Sequence, residues 1–492
     1  MNIRLIALAA LAAVGTAHAT SLSPAQIDAA RGVDLKEVRI YGASAQTPAL
    51  AAYMADICGA MDTYRIGTDH VAYACVTTKD AKTGSQGYAA GTKLLVVKRD
   101  AGGSAWGVTP VAAELPEKSL LVNVANCGTG YVPGGSTACL STATQMAVPH
   151  AGISDVEPAL HVAPFTVNKV KGVYLNLPAG VDDGGLPWAP PVKVTAMDTA
   201  ALGQTAFGVA VSPALYAKLQ AAQGTTGVPT VGRAQVAAVL AGYVRAAAGY
   251  AGWSALTGDV ADDAKTVVIC RRTAGSGTQA ASNAFFLEVG ALTDTATGML
   301  EPLTTATAPV NAFDTSIPGV SVYHGSGTGN VLTCLTTNPG SAYALGVVTG
   351  ERDDSATTWK FVKIDNAEMT NANMRKGLYP FVYTSSMQWN KAENLTIGRD
   401  KAMMGFLGHV RANAANVNFL ATAPVPRVLA LPSHWSNTTE SCASATGNNA
   451  LYGSCVERLD YGSVYNPASF LYGLAASKNY KTNSAAPLRQ VR

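Results

Sequence analysis

Arg272 stands four residues before Ser276-Gly277-Thr278, and a Ser154-Asp155 pair lies earlier in the same chain. A guanidinium grips an oxyanion through planar, charge-assisted and often bidentate hydrogen bonds. A Gly-Ser-Gly-Thr turn that opens a helix adds unpaired backbone N–H groups, hydroxyl donors and the positive end of the helix dipole. That tetrapeptide occurs at 275–278 and again at 325–328. A helical pattern follows the first copy, with Ala280, Ala284, Phe285 and Leu287 on one face, so the first copy reads as the anion site. Only a short apolar run, 331–335, and then Pro339 follow the second copy, which reads as a loop before a short helix. Neither copy is a nucleotide-binding loop of the Walker type, because no Lys-Ser/Thr pair follows the glycines. Arg271 reads as solvent-facing. Two plainer roles stay open: Asp155 as a strand-end helix cap, and Arg272 as a structural ion pair.

These residues need elements to hold them. Residues 38–41 read as a strand that runs through the turn at 42–47 into a helix from Pro48 to about Met61, with proline well placed at the first helical position. Residues 93–98 form a second strand, followed by Ala101-Gly102-Gly103-Ser104. Residues 266–270 form a third, which leads through Arg271 and Arg272 to the first Gly-Ser-Gly-Thr copy and a helix reaching about Gly290. β-rich runs alternating with Ala-rich helical stretches argue for an α/β fold.

The 492 residues carry 35 Lys+Arg against 32 Asp+Glu, a formal net charge of +3, and no basic strip, so nucleic acid is not an expected partner. Charged residues are 14% and hydrophobic residues 48%, which argues against disorder. Past residue 20 no apolar stretch approaches the roughly 20 residues that a membrane span needs. The seven histidines form no H-E-x-x-H or other closely spaced metal pattern. No G-x-S-x-G elbow supports a serine hydrolase. No catalytic residue, metal or cofactor is therefore expected. Trp106, Trp188 and Trp253 read as packing residues.

Residues 1–19 read as a cleavable signal peptide: Arg4, an apolar run from 5 to 14, and Ala17-His18-Ala19 before Thr20. No cysteine sits there to carry a lipid. The eight cysteines, 58, 75, 127, 139, 270, 334, 442 and 455, suit an oxidising compartment. They allow 105 connectivities. Short loops favour Cys58–Cys75, Cys127–Cys139 and Cys442–Cys455, which leaves Cys270–Cys334. The absence of C-x-x-C removes zinc ribbons and thioredoxin-like chemistry.

In order along the chain, several segments resemble the substrate-binding protein of the bacterial phosphate ABC transporter and, more broadly, the type II periplasmic binding-protein superfamily. The specific segments are Tyr41-Gly42-Ala43-Ser44-Ala45-Gln46-Thr47-Pro48, Ile153-Ser154-Asp155-Val156-Glu157-Pro158, and Arg272-x-x-x-Ser276-Gly277-Thr278. Phe207-Gly208-Val209-Ala210-Val211, residues 242–253, Pro339-Gly340-Ser341 with Leu345-Gly346-Val347, and Gly377-Leu378-Tyr379-Pro380 add support. The resemblance spans roughly 36 to 435. It implies two α/β lobes with a hinge and an interlobe ligand cleft: 21–206 plus 349–492 as lobe one, with a C-terminal extension from about 436, and 207–348 as lobe two. The ligand contacts it implies are Gln46, Thr47, Ser104, Asp155, Arg272, Ser276, Gly277 and Thr278. At Gln46 and Thr47 the chain departs from the family's Thr followed by an aromatic.

Phosphate suits this chemistry. It carries protons near neutral pH, so Asp155 can accept a hydrogen bond from a P–OH, whereas fully ionised sulfate would leave that carboxylate repelled and unpaired. The implied function is an exported, monomeric solute-binding protein, periplasmic or secreted, that binds inorganic phosphate for uptake through an ABC permease. The alternative is a secreted or surface oxyanion-binding protein of the same fold with no transporter. An enzyme such as a phosphate-ester hydrolase finds neither a nucleophile–base pair nor a metal cluster.

Overall fold

The computed structural model describes residues 21–156, 158–161, 169–170, 173–174, 197–273, 275–287, 310–337, 343–352, 354–355, 358–375, 378–413 and 427–429. The signal at 1–19, Trp188, the Cys442–Cys455 pair and the extension from about 436 lie outside the described residues. Along the main sheet the strands in chain order are β1 (Lys36–Gly42), β2 (Asp62–Ile66), β3 (His70–Val76), β4 (Lys93–Arg99), β5 (Ser136–Ala138) and β6 (Ala151–Ser154). They continue with β7 (Met197–Val211), β8 (Val267–Arg272), β9 (Phe313–Asp314), β10 (Val320–Gly325), β11 (Ala344–Thr349) and β12 (Val382–Asn390). Their spatial order is β9-β10-β8-β11-β7-β12-β6-β1-β4-β3-β2-β5.

The path joins two hydrophobic cores, and the fold is α/β with two lobes. Val38, Ile40, Leu50, Tyr53, Met54 and Phe406 belong to the core around β1, and Tyr64, Leu95 and Val97 to a cluster behind it. Phe207, Val209, Ile269, Phe285, Val322 and Phe381 belong to the other large core. Strand β7 crosses between them. Its first part, Met197 to Ala206, pairs antiparallel with β12; its last five residues, from Phe207↔Thr349 to Val211↔Leu345, pair with β11. The chain returns just past Thr349, where the Gly350 amide donates to Ala206 O at 2.7 Å. At this crossing the side chains of Gln204, Thr205, Thr349, Thr384, Ser385 and Ser386 are buried.

Strand β8 pairs parallel with both β10 and β11, and all six of its residues are buried. A Val-Val-Ile-Cys run suits a strand covered on both faces. That double cover overturns the solvent-facing reading of Arg271, which is 5% exposed and sits opposite His324 in the ladder. The strand also extends beyond the expected 266–270, so Arg272 is its last residue and not part of the following turn. The first long helix, α1 (Thr47–Cys58), stops at Gly59 with φ +70°, short of Met61. After β8 comes α2 (Gly277–Leu287), and after β10 comes α3 (Thr328–Thr337).

Cys58–Cys75 ties the end of α1 to β3, and Cys127–Cys139 closes a short loop. Cys270–Cys334 ties β8 to α3. Cross-linking stabilises chiefly by restricting the unfolded chain, more so for longer loops. Replacing Cys270 and Cys334 together by Ser is expected to lower the unfolding free energy by about 4 kcal/mol, and replacing Cys127 and Cys139 by about 3 kcal/mol. Urea unfolding of the oxidised proteins checks this. A larger loss from the short-loop pair would contradict the ordering.

Candidate anion-binding site

Because β8 ends at Arg272, the guanidinium leaves the sheet at the edge where the two lobes meet. It is 2% exposed. Nε donates to Gly325 O at 3.2 Å and Nη2 to Ser326 O at 2.7 Å; Nη1 donates to Ser44 Oγ and Thr328 Oγ1, each at 3.3 Å. Among the described residues no carboxylate forms an ion pair with it, so the structural ion-pair role finds no partner there. Burial pulls its pKa down to about 10 against the raising effect of Asp155, Asp100 and Asp69 nearby.

Two glycines let the lobes touch. A Cβ on Gly277 would lie 2.1 Å from Ser104 Oγ and 2.6 Å from Asp155 Cβ, closer than any side chain tolerates. Gly103 has φ +80°, and a Cβ there would lie 2.8 Å from Ser276 Cα. Between them the Ala105 amide donates to Gly275 O at 2.8 Å. The segment Ser104–Gly107 is one turn of 3-10 helix, and Ser104 is fully buried.

Asp155 follows β6 and is 1% exposed; its amide donates to Ser104 Oγ at 3.0 Å. Its Oδ1 has no hydrogen-bond partner among the described residues, and neither does the buried Thr278 Oγ1. Burial pushes the Asp155 carboxyl up to about 7, opposed by the Arg272 and Lys98 charges. Ser276 Oγ accepts from the Gln279 amide at 3.3 Å. Ser104, Asp155, Arg272, Ser276, Gly277 and Thr278 are thus gathered into one buried cluster drawn from both lobes.

Gln46 and Thr47 stand beside it but are held by protein partners. Gln46 Nε2 donates to Thr205 Oγ1 at 2.7 Å and Ser385 Oγ at 2.8 Å, while its buried Oε1 has no partner among the described residues. Thr47 Oγ1 donates to Asp100, 2.8 and 2.9 Å from its two oxygens. Asp100 in turn pairs with the fully buried Lys98 Nζ at 2.6 Å, which also donates to Gly42 O at 2.9 Å. The Lys98 charge is neutralised where it sits; Arg272 keeps its own.

The two Gly-Ser-Gly-Thr copies differ in what occupies their amides. In the second, the Ser326 amide donates to Asn311 Oδ1 and the Gly327 amide to Asn330 Oδ1, both at 2.9 Å. That helix start is closed by its own neighbourhood, and its carbonyls hold Arg272. In the first, the Gly277 and Thr278 amides meet no acceptor among the described residues. The sequence reading passed over Ser44 and Thr328. Thr328 was signalled by the repeat itself, whereas Ser44 had no signal beyond lying in the first loop. Glu351, just past the crossing, was missed as well. It is buried, accepts from Thr349 Oγ1 at 2.6 Å, has no partner on Oε2 among the described residues, and is pushed up to about 7 by burial. Among the described residues no group of three or more His, Cys, Asp or Glu could hold a metal ion. No helix of these residues is long and apolar enough to cross a membrane.

A carboxyl whose pKa rises on folding favours its protonated form in the native state. Its contribution to stability is therefore largest below the unfolded value of about 4 and declines as pH rises through the folded value. With Asp155 at about 7, the ligand-free protein is expected to lose stability between about pH 4 and pH 7. Asp155→Asn should make that decline shallower by roughly one proton. Denaturant midpoints across this range, compared between parent and variant, check it; parallel profiles would contradict the assignment.

No family model matches the chain, and no curated protein matches it. Among solved structures it is similar to one named as a phosphate ABC transporter substrate-binding protein with bound phosphate from Clostridium perfringens: 12% identity, 80% of this chain and 99% of that chain covered, TM-score 0.41. An ABC-type phosphate transport receptor from Vibrio cholerae aligns at 11% identity, covering 79% and 98%, with TM-score 0.36. PstS from Borrelia burgdorferi aligns at 11% identity, covering 81% and 100%, with TM-score 0.34.

Proposed function

We propose that this chain is an exported solute-binding protein whose lobes close over one inorganic phosphate, delivered to an ABC-type permease. The observation that carries the reading is the buried Arg272 guanidinium, which no carboxylate pairs among the described residues, set beside Thr278 Oγ1 and Asp155 Oδ1, neither of which has a hydrogen-bond partner among those residues. A buried cation with no carboxylate bonded to it is disfavoured, and an anion entering the cleft supplies a directly bonded counter-charge. The helix start at Gly277 and Thr278 adds donors of the kind an oxyanion takes. Asp155 then acts as the selecting group. It accepts from a protonated ligand oxygen and repels a ligand that has no proton to offer. Gln46 and Thr47 serve the reading as supports of the first loop, and Ser104 as the residue that fixes Asp155.

The mature protein is expected to bind phosphate at one site per chain in calorimetry, with little heat from sulfate. Arg272→Ala should cost about 2–5 kcal/mol of binding free energy, roughly two to three decades of affinity. Equal heats from parent and variant would remove Arg272 from the site; no phosphate heat from the parent would remove the reading itself.

Asp155→Asn should behave differently. The amide still accepts one hydrogen bond, but it can also donate to an ionised oxygen. Phosphate affinity is expected to fall modestly while discrimination against sulfate shrinks. The sulfate-to-phosphate affinity ratio is the measurement. An unchanged ratio would make Asp155 a structural residue.

A further inference from the structure

Ser44 and Thr328 come from opposite sides of the cleft. Ser44 begins the 3-10 segment Ser44–Gln46 after β1, and Thr328 begins α3. Each is 3% exposed, and their hydroxyl oxygens lie 3.2 Å apart. Both accept from the same Arg272 Nη1 at 3.3 Å.

Counting protons shows what this arrangement leaves over. Each hydroxyl carries one proton and can accept as well as donate. With both oxygens accepting from Arg272, one hydroxyl proton can serve the bond between them, whichever residue donates. The other proton has no acceptor among the described residues, although both side chains are buried. A buried O–H without an acceptor costs free energy comparable to a lost hydrogen bond. The guanidinium polarises the pair further, since an oxygen accepting from a cation donates its own proton more strongly.

We infer that Ser44 and Thr328 act as one relay, a hydroxyl pair that gives its single spare proton to an oxygen of the bound oxyanion while holding Arg272 square to it. This rests on the oxyanion reading above and adds two specificity-determining residues to it. Because Ser44 belongs to one lobe and Thr328 to the other, the relay forms only when the lobes are together.

The test is phosphate calorimetry on Ser44→Ala, Thr328→Val, the double variant and Thr328→Ser, with ligand-free melting temperatures measured alongside. Removing one hydroxyl leaves the other with its proton but without the partner that orients it, and should weaken phosphate binding by about fivefold. The double variant removes the last donated proton, so its loss, about a hundredfold, should exceed the product of the two single losses. Thr328→Ser should stay within about threefold of the parent, because it keeps the hydroxyl. Ligand-free melting temperatures should move little for the single variants and fall for the double variant, which leaves the buried Arg272 Nη1 without either acceptor. A double-variant loss no greater than the product of the single losses, variants that bind as the parent does, or a Thr328→Ser as weak as Thr328→Val would each overturn the relay while leaving the phosphate reading in place. A parent that binds no phosphate would overturn the reading, and the relay with it.

Discussion

A guanidinium taken out of water needs its charge balanced or its N–H groups occupied, and at Arg272 four of the five N–H bonds find protein acceptors while no carboxylate among the described residues bonds to it. Two main-chain carbonyls, Gly325 and Ser326, and two hydroxyls take its protons. That places demands on the neighbourhood. Strand β10 has to end opposite β8, and the ladder does pair Arg272 with Gly325. The turn after β10 has to present its carbonyls inward, which it does while Asn311 and Asn330 take its amides. The Cys270–Cys334 bond holds the strand bearing the arginine to the helix that follows that turn. These arrangements follow from one buried cation more readily than from packing alone.

Electrostatics near the arginine are arranged by subtraction. Lys98 and Asp100 neutralise each other and occupy Thr47 in doing so. Asp155 is left with Oδ1 unpartnered among the described residues and its carboxyl pushed up to about 7 by burial. A charged pair this close would otherwise leave two cations or two anions to compete for any ligand. Arg272 then remains without a carboxylate pair among the described residues, while burial pushes two acids, Asp155 and Glu351, up to about 7.

Much of this was legible in the residues. The strand, turn and helix order around 38–58 and 267–287 could be read from spacing and residue chemistry, and so could the first Gly-Ser-Gly-Thr copy as the start of the longer helix, whereas Asp155 was singled out through the family resemblance. What could not be read is instructive. Strand β8 outruns its apolar run because both faces are covered, so a charged Arg271 is buried where periodicity alone would expose it. Ser44 and Thr328 are small hydroxyl residues of the kind found in many loops, and only the meeting of two distant turns sets them on one nitrogen. Glu351 looks like an ordinary surface acid until the crossing of β7 and β11 encloses it. Each of these depends on contacts between segments far apart in the chain, which no local pattern records.

The crossing itself carries a consequence for the thermodynamics of motion. Where the chain passes between the lobes, the buried side chains include Gln204, Thr205, Thr349, Thr384, Ser385 and Ser386 beside the apolar Ala206, Val382 and Tyr383, and the faces that touch are glycine, serine and main chain with the Trp106 ring set against Gly275. Apolar hydration is what gives a conformational change its large heat-capacity signature, and polar hydration contributes with the opposite sign. Any separation at this contact would wet amides and hydroxyls together with the Trp106 ring, contributions of opposite sign. The heat capacities of the open and closed forms should accordingly lie close together, so that temperature alone shifts the balance between them only gently.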